Sequence, residues 1–232
     1  LDELDRLVRR SDEDRWLASR FAPALARERM IALYAVHHEI VRSSEAAKES
    51  GLAAIRLAWW RDALQQIHAG GAPPQQPALV AYAEHARWFA GEEWLEILDA
   101  RSDGPLASWE AAETHAVRTN GGLMRLALRA CGEQAAQYLQ PLAAAQGLVE
   151  LCGAEARRPR LPGSIEEGLA RAEDAYQRGR AASRGFTAGA FPAFGYVTLA
   201  PLHIRALRLG HGPPALLARQ WRLVKAAATG RL

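Results

Sequence analysis

The sequence predicts an all-α fold, a bundle of about eight to ten helices packed around a central cavity. Three observations carry this. Apolar residues recur three and four apart from one end of the chain to the other, the spacing of a helix face. No segment alternates with period two, and no hairpin turn signal or tandem repeat appears. Helix punctuation is frequent, with a capping box at Ser164 and Glu167 and a breaker at AGGAPPQQP. At 232 residues the chain suffices for one large domain or two small ones, and the helical pattern favours one unit over residues 1–232.

Taken in order, residues 1–11 form a charged lead-in, and Asp12 or Asp14 caps a helix containing Trp16 and Leu17. Pro23 stops that helix or restarts it at a first-turn position. Arg29 to Leu64 then reads as two helical segments joined at Gly51. Helical spacing places Tyr34, His38, Val41 and Glu45 on one face, and Ile55, Trp59 and Leu64 inward beside Arg56 and Arg61. The second segment runs to His68. ALVAYAEHARWFA and EEWLEILDAR give two short helices around Gly91, with Leu79, Tyr82, Trp88, Trp94 and Leu98 as core. A helix from Ser108 should be weakest at Asn120-Gly121-Gly122, since each glycine costs about 1 kcal/mol against alanine, which points to a kink or a close backbone approach. Glu133 to Ala156 is helical and ends at RRPRLPG. Ser164 to about Ser183 follows, and the remainder makes two more helices despite Pro201.

Hydrophobic content of 49% beside 24% charged residues is that of a globular chain with a full core. No apolar run reaches the roughly 18 residues of a membrane span, and the first ten residues are charged, so neither a span nor a signal peptide is expected. Cys131 and Cys152 lack metal-type spacing and suit a reducing, cytoplasmic setting. Charge is uneven. No acidic residue follows Asp174, while nine arginines and lysines do, so the C-terminal part is expected to meet an anionic partner such as the inner face of the cytoplasmic membrane. No recognised nucleic-acid motif accompanies that charge, and no nucleic-acid partner is expected.

LYAVHHEI followed by RLAWWRDAL resembles the squalene/phytoene synthase family. DRWLASRFAP, HAVRTNGGLMRLALRACG and RRPRLPGS are similar to further stretches of that family and occur in its order. The resemblance implies an isoprenoid-synthase-like helical bundle. It also implies, for working members, head-to-head condensation of two prenyl diphosphates, such as farnesyl or geranylgeranyl diphosphate, with Mg2+ held between two Asp-rich motifs. This chain departs there. The first cluster falls across Val41, Arg42 and Glu45, the second in GLVELCGAEARRPRLP, where only Glu150 and Glu155 are acidic. YAVHHEIVR looks closer to the branch that contains a mitochondrial complex I assembly factor.

The expectation is therefore a non-catalytic or weakly active protein with a largely apolar pocket for an isoprenoid or other lipid, and a respiratory-complex subunit as partner. No cofactor is expected. If the chain is active, Mg2+ is needed and Glu45, Glu150 and Glu155 stand in for the aspartates. Tyr34, His38, Val41, Arg42, Arg56, Trp59, Trp60, Arg61, Arg118, Asn120, Gly121 and Met124 are the expected binding residues. Arg56, Arg61 and Arg118 suit phosphate because guanidinium forks match its oxygens in pairs. Glu45 and Glu155 are weak metal candidates. His37, His38 and Glu45 also offer ligating atoms, but no HExxH or supporting ligand set accompanies them. Phe89, Trp94, Met124 and Leu128 with the Trp59-Trp60 pair are expected along an isoprenoid channel.

Overall fold

A computed structural model describes residues 2–45, 50–102, 104–134 and 137–232, and every regular element among them is helical. The chain runs α1 (Asp2–Ser11), α2 (Glu13–Ser19), α3 (Ala24–Glu45), α4 (Ser50–His68), α5 (Pro77–Ala83), α6 (Gly91–Ser102), α7 (Trp109–Ala116) and α8 (Gly122–Ala130). It continues through α9 (Leu139–Ala154), α10 (Ile165–Ala182), α11 (Phe191–Phe194), α12 (Ala200–Arg208) and α13 (Leu216–Thr229). Short 3-10 turns cover Ala86–Trp88 and Gly195–Leu199. None of these helices is long and apolar enough to cross a membrane.

Local chemistry sets the boundaries. The Asp12 carboxylate accepts from the Arg15 backbone N–H at 3.2 Å and starts α2. Ser108 caps α7 in the same way, and Ser164 with Glu167 forms the full capping box of α10. Where Asn120-Gly121-Gly122 predicts a weak point, α7 passes into a π turn over Val117–Gly121 before α8 resumes the regular helix. Two glycines let helices close around that turn. A β-carbon on Gly122 would meet Ile97 of α6 at 2.8 Å, and one on Gly147 of α9 would meet the Ala116 β-carbon at 2.4 Å.

One contiguous apolar core runs from Leu4 to Leu232, with α3, α8 and α9 at its centre. Met30, Leu33, Ile40, Met124, Leu128 and Leu148 are fully enclosed there. Tyr82, Phe89 and Trp94 form an aromatic cluster, Tyr82 stacking on Phe89 at 4.8 Å and accepting from Trp94 Nε1 at 2.9 Å. Trp88, expected in the core, lies at its edge under the Arg29 guanidinium, 3.6 Å from the ring centroid, and Phe89 takes the inner place.

The inward face of α4 differs from expectation. Leu57, Trp60, Leu64 and Ile67 are buried, whereas Ile55 is 67% and Trp59 46% exposed. The spacing 57, 60, 64, 67 is the three-four repeat that packs on α3 and α6, and it sets Trp59 on the opposite side.

Candidate functional site

α1, α2, α3, α6, α7, α9, α12 and α13, the π turn and the loop after α9 line a half-open cavity of about 700 Å³. Its deepest fastening begins at Arg15, which is 3% exposed. The guanidinium donates from Nη1 to Asp12 Oδ2 at 2.5 Å, and from Nη2 to Asn120 Oδ1 at 2.5 Å and Glu150 Oε1 at 2.9 Å. It also lies over the Tyr196 ring, 4.8 Å from the centroid. Glu150 is held from three sides. Oε1 further accepts from Gln146 Nε2 at 3.0 Å, and Oε2 from Asn120 Nδ2 at 3.2 Å. Burial works against ionisation of Glu150. The Arg15 charge, then the bonds from Gln146 and Asn120, outweigh it and hold the carboxyl below its ordinary range.

The π turn explains how Asn120 reaches both partners, because widening the helix by one residue turns its side chain toward α2 and α9 together. Opposite, α3 contributes Tyr34, His37, His38 and Val41 to the cavity wall. The Tyr34 side chain is buried, and its hydroxyl has no hydrogen-bond partner among the described residues. Burial pushes that hydroxyl's pKa well up, so it stays protonated and able to donate.

Two arginines on the wall stand beside histidines. Arg101 Nη2 lies 2.8 Å from His37 Nε2, and Arg160 Nη1 lies 3.4 Å from His115 Nε2. Burial, then the Arg101 charge, lowers the His37 pKa well below the usual value; burial, then Arg160, lowers His115 to about 4. Both rings are neutral at physiological pH, so their nitrogens accept from the guanidinium groups. On the far wall, Asp14 accepts from Arg219 Nη1 at 2.8 Å and lies 2.6 Å from His203 Nε2, while Glu13 accepts from Arg219 Nη2 at 2.5 Å. Burial raises the Asp14 pKa, and the bonds and charges of His203 and Arg219 more than reverse it.

Among the described residues, seven arginines and four carboxylates line the cavity. Val41, Val149, Leu151, Ala154, Leu207 and Pro213 supply an apolar share of similar extent. The expected largely apolar pocket is thus corrected to a mixed one, with Trp94, Met124 and Leu128 buried in the core instead of lining it.

Of the expected site residues, Tyr34, His38, Val41, Asn120 and Glu150 line the cavity together. Others go elsewhere. Arg42 reaches out to Glu39 at 2.6 Å, two-thirds exposed, rather than into the pocket. Arg56 donates to the Ser43 carbonyl at 3.0 Å, and Arg61 pairs with Asp99 on the outer side of α4 and α6. Trp60 is core and donates to Ser43 Oγ at 3.0 Å, and Trp59 is on the surface. Arg118 and Gly121 belong to the π turn without lining the cavity, and Met124 is sealed in α8. Glu155 accepts from the backbone of Arg160 and Leu161 at 2.9 and 3.0 Å, so it shapes the RRPRLP loop. The Glu45 side chain lies outside the described residues.

Sequence reasoning missed Arg15, Gln146, His115, Arg101 and the Asp14–Arg219 pair, and His37 was weighed only as a metal ligand. Only Arg15 left a trace, as a cation three residues after the Asp12 cap. Nor do the described acids assemble a metal centre. Among the described residues no group of three or more His, Cys, Asp or Glu side chains is placed to hold a metal ion.

The sequence pattern named Squalene/phytoene synthase matches residues 8–153. The chain belongs to the squalene/phytoene synthase family. Two solved structures share its architecture. A dehydrosqualene synthase crystallised with a ligand superposes with a TM-score of 0.72 at 12% identity, covering 99% of this chain and 95% of that one. The squalene synthase HpnC of Alicyclobacillus acidocaldarius gives 0.69 at 16% identity, covering 92% and 95%. These confirm the isoprenoid-synthase-like fold. In sequence the family member is similar to assembly factor 6 of NADH dehydrogenase (ubiquinone) complex I, at 25% identity over 131 residues in Mus musculus and 27% in Rattus norvegicus. Each match covers 54% of this chain and 39% of the relative, so the alignment spans about two-fifths of those proteins.

Proposed function

We propose that this squalene/phytoene synthase family member is a non-catalytic binding protein. Its cavity takes the phosphate or diphosphate head of an isoprenoid or other lipid, and it serves the assembly of a respiratory-chain complex at the inner face of the cytoplasmic membrane. One observation carries the reading. The Glu150 carboxylate is engaged by Arg15, Asn120 and Gln146, so a guanidinium stands where ionising a diphosphate would need open carboxylates around divalent ions. The described donors do not suit a magnesium cluster, because the other described acids of the lining, Asp12, Glu13 and Asp14, are drawn onto Arg15 and Arg219.

Among the described lining residues arginines outnumber carboxylates, which supports an anionic guest. So does the unpartnered Tyr34 hydroxyl, since a buried donor without an acceptor is completed by a guest oxygen. The assembly role rests on the likeness to complex I assembly factor 6.

Calorimetric titration with pyrophosphate and with farnesyl diphosphate, in chelator and again in magnesium, tests the binding part. The expected result is binding of both in chelator with little gain from magnesium. Binding that requires magnesium would overturn it.

A further inference from the structure

α13 carries apolar residues on two opposite sides. Leu223 and Ala226 face the core, and Arg219 beside them holds Glu13 and Asp14 at the cavity wall. At 100° per residue, Leu217, Trp221, Val224 and Ala228 fall on the reverse side in one line. Leu217 is 79%, Trp221 70% and Val224 50% exposed, so nothing in the chain covers this stripe among the described residues. A tryptophan at 70% exposure between two aliphatic side chains is costly in water and marks a docking surface.

Charge selects the occupant. α13 contains no acidic residue, Lys225 borders the stripe, Arg231 follows the helix, and both are exposed. A second exposed stripe, Leu52, Ile55 and Trp59 on α4, runs instead into the exposed Asp62, which an anionic surface repels. We propose that the outer face of α13 docks the protein on an anionic lipid surface. Trp221 and the aliphatic pair enter the headgroup layer, and Lys225 and Arg231 meet lipid phosphates. This rests on the peripheral location just proposed and gives it an element. The same helix then holds the bilayer on one side and, through Arg219, the cavity wall on the other.

The test is co-sedimentation of the full chain with vesicles of phosphatidylcholine alone or with phosphatidylglycerol added. The intact protein is expected to bind the anionic vesicles, and less so in high salt. Leu217→Ser, Trp221→Ser and Val224→Ser combined should weaken that binding at least about tenfold, since three apolar side chains no longer enter the lipid. Ile55→Ser with Trp59→Ser should leave it unchanged. Lys225→Gln with Arg231→Gln should reduce the preference for anionic vesicles while preserving the fold, because both side chains are exposed.

An intact protein that stays in the supernatant with both vesicles, or a triple variant that sediments like the parent, overturns the proposal. So does self-association through the stripe without vesicle binding, which would make it a protein interface. Pyrophosphate titration of the triple variant reads the cavity separately, so loss of membrane binding with intact anion binding leaves the cavity reading in place.

Discussion

Replacing Arg15 by Met removes the group on which three cavity residues converge. The guanidinium is 4% exposed and bonds Asp12, Asn120 and Glu150. Breaking a buried ion pair from one side typically costs 3–5 kcal/mol, because the other charge is left uncompensated. Here 38% of the Glu150 side chain and 25% of Asp12 are exposed, so water screens part of the loss and about 2–4 kcal/mol is expected. Glu150→Gln keeps an oxygen toward Arg15 but loses the charge, at about 1–2 kcal/mol. In the double variant the carboxylate stranded by Arg15→Met is gone. It should therefore be less destabilised than the two singles together, by about 1–2 kcal/mol. Urea unfolding of the four proteins at pH 7 measures this. Strict additivity would show that Arg15 and Glu150 do not act as a unit, and the account of the cavity floor would have to be abandoned.

Two further outcomes follow from packing and titration. Gly147→Ala places a methyl 2.4 Å from the Ala116 β-carbon and 3.0 Å from Asn120 Nδ2, so α7 and α9 must part. A loss of about 2 kcal/mol and weaker pyrophosphate binding are expected, and a variant as stable as the parent would refute the close approach. His115, with a pKa near 4 against 6.5 when unfolded, contributes stability fully present above pH 6.5 that is lost as pH falls toward 4. The loss approaches about 3 kcal/mol at the low end, His37 acts in the same direction, and His115→Gln should flatten the pH profile of unfolding.

Much of this was legible from residue order. The Asp12, Ser108 and Ser164 caps are local, since each needs only an acceptor three residues ahead of a backbone N–H. The π turn was legible as a weak point because Asn120-Gly121-Gly122 breaks helix propensity wherever it occurs, although its width by one residue was not. Tyr34, His38 and Val41 were found by spacing on α3. The side of α4 was misread, since Trp59 and Trp60 fit a helix face equally well until Leu57, Leu64 and Ile67 are weighed with them. Arg15 and Arg219 were missed for another reason. Their partners lie 135 and 205 residues away in sequence, and no periodicity signals such a pairing. Glu150, the lone acid of the run GLVELCGA, was legible only as a stand-in for a metal-binding aspartate.

The central claim is that the cradle holds an anionic head without breaking it off. Incubation of the protein with farnesyl or geranylgeranyl diphosphate and magnesium, with released pyrophosphate and hydrocarbon product measured together, tests that most directly. The account predicts bound diphosphate and no release above the enzyme-free rate. Steady release with hydrocarbon formation, abolished by Glu150→Gln or Glu45→Ala, would contradict it.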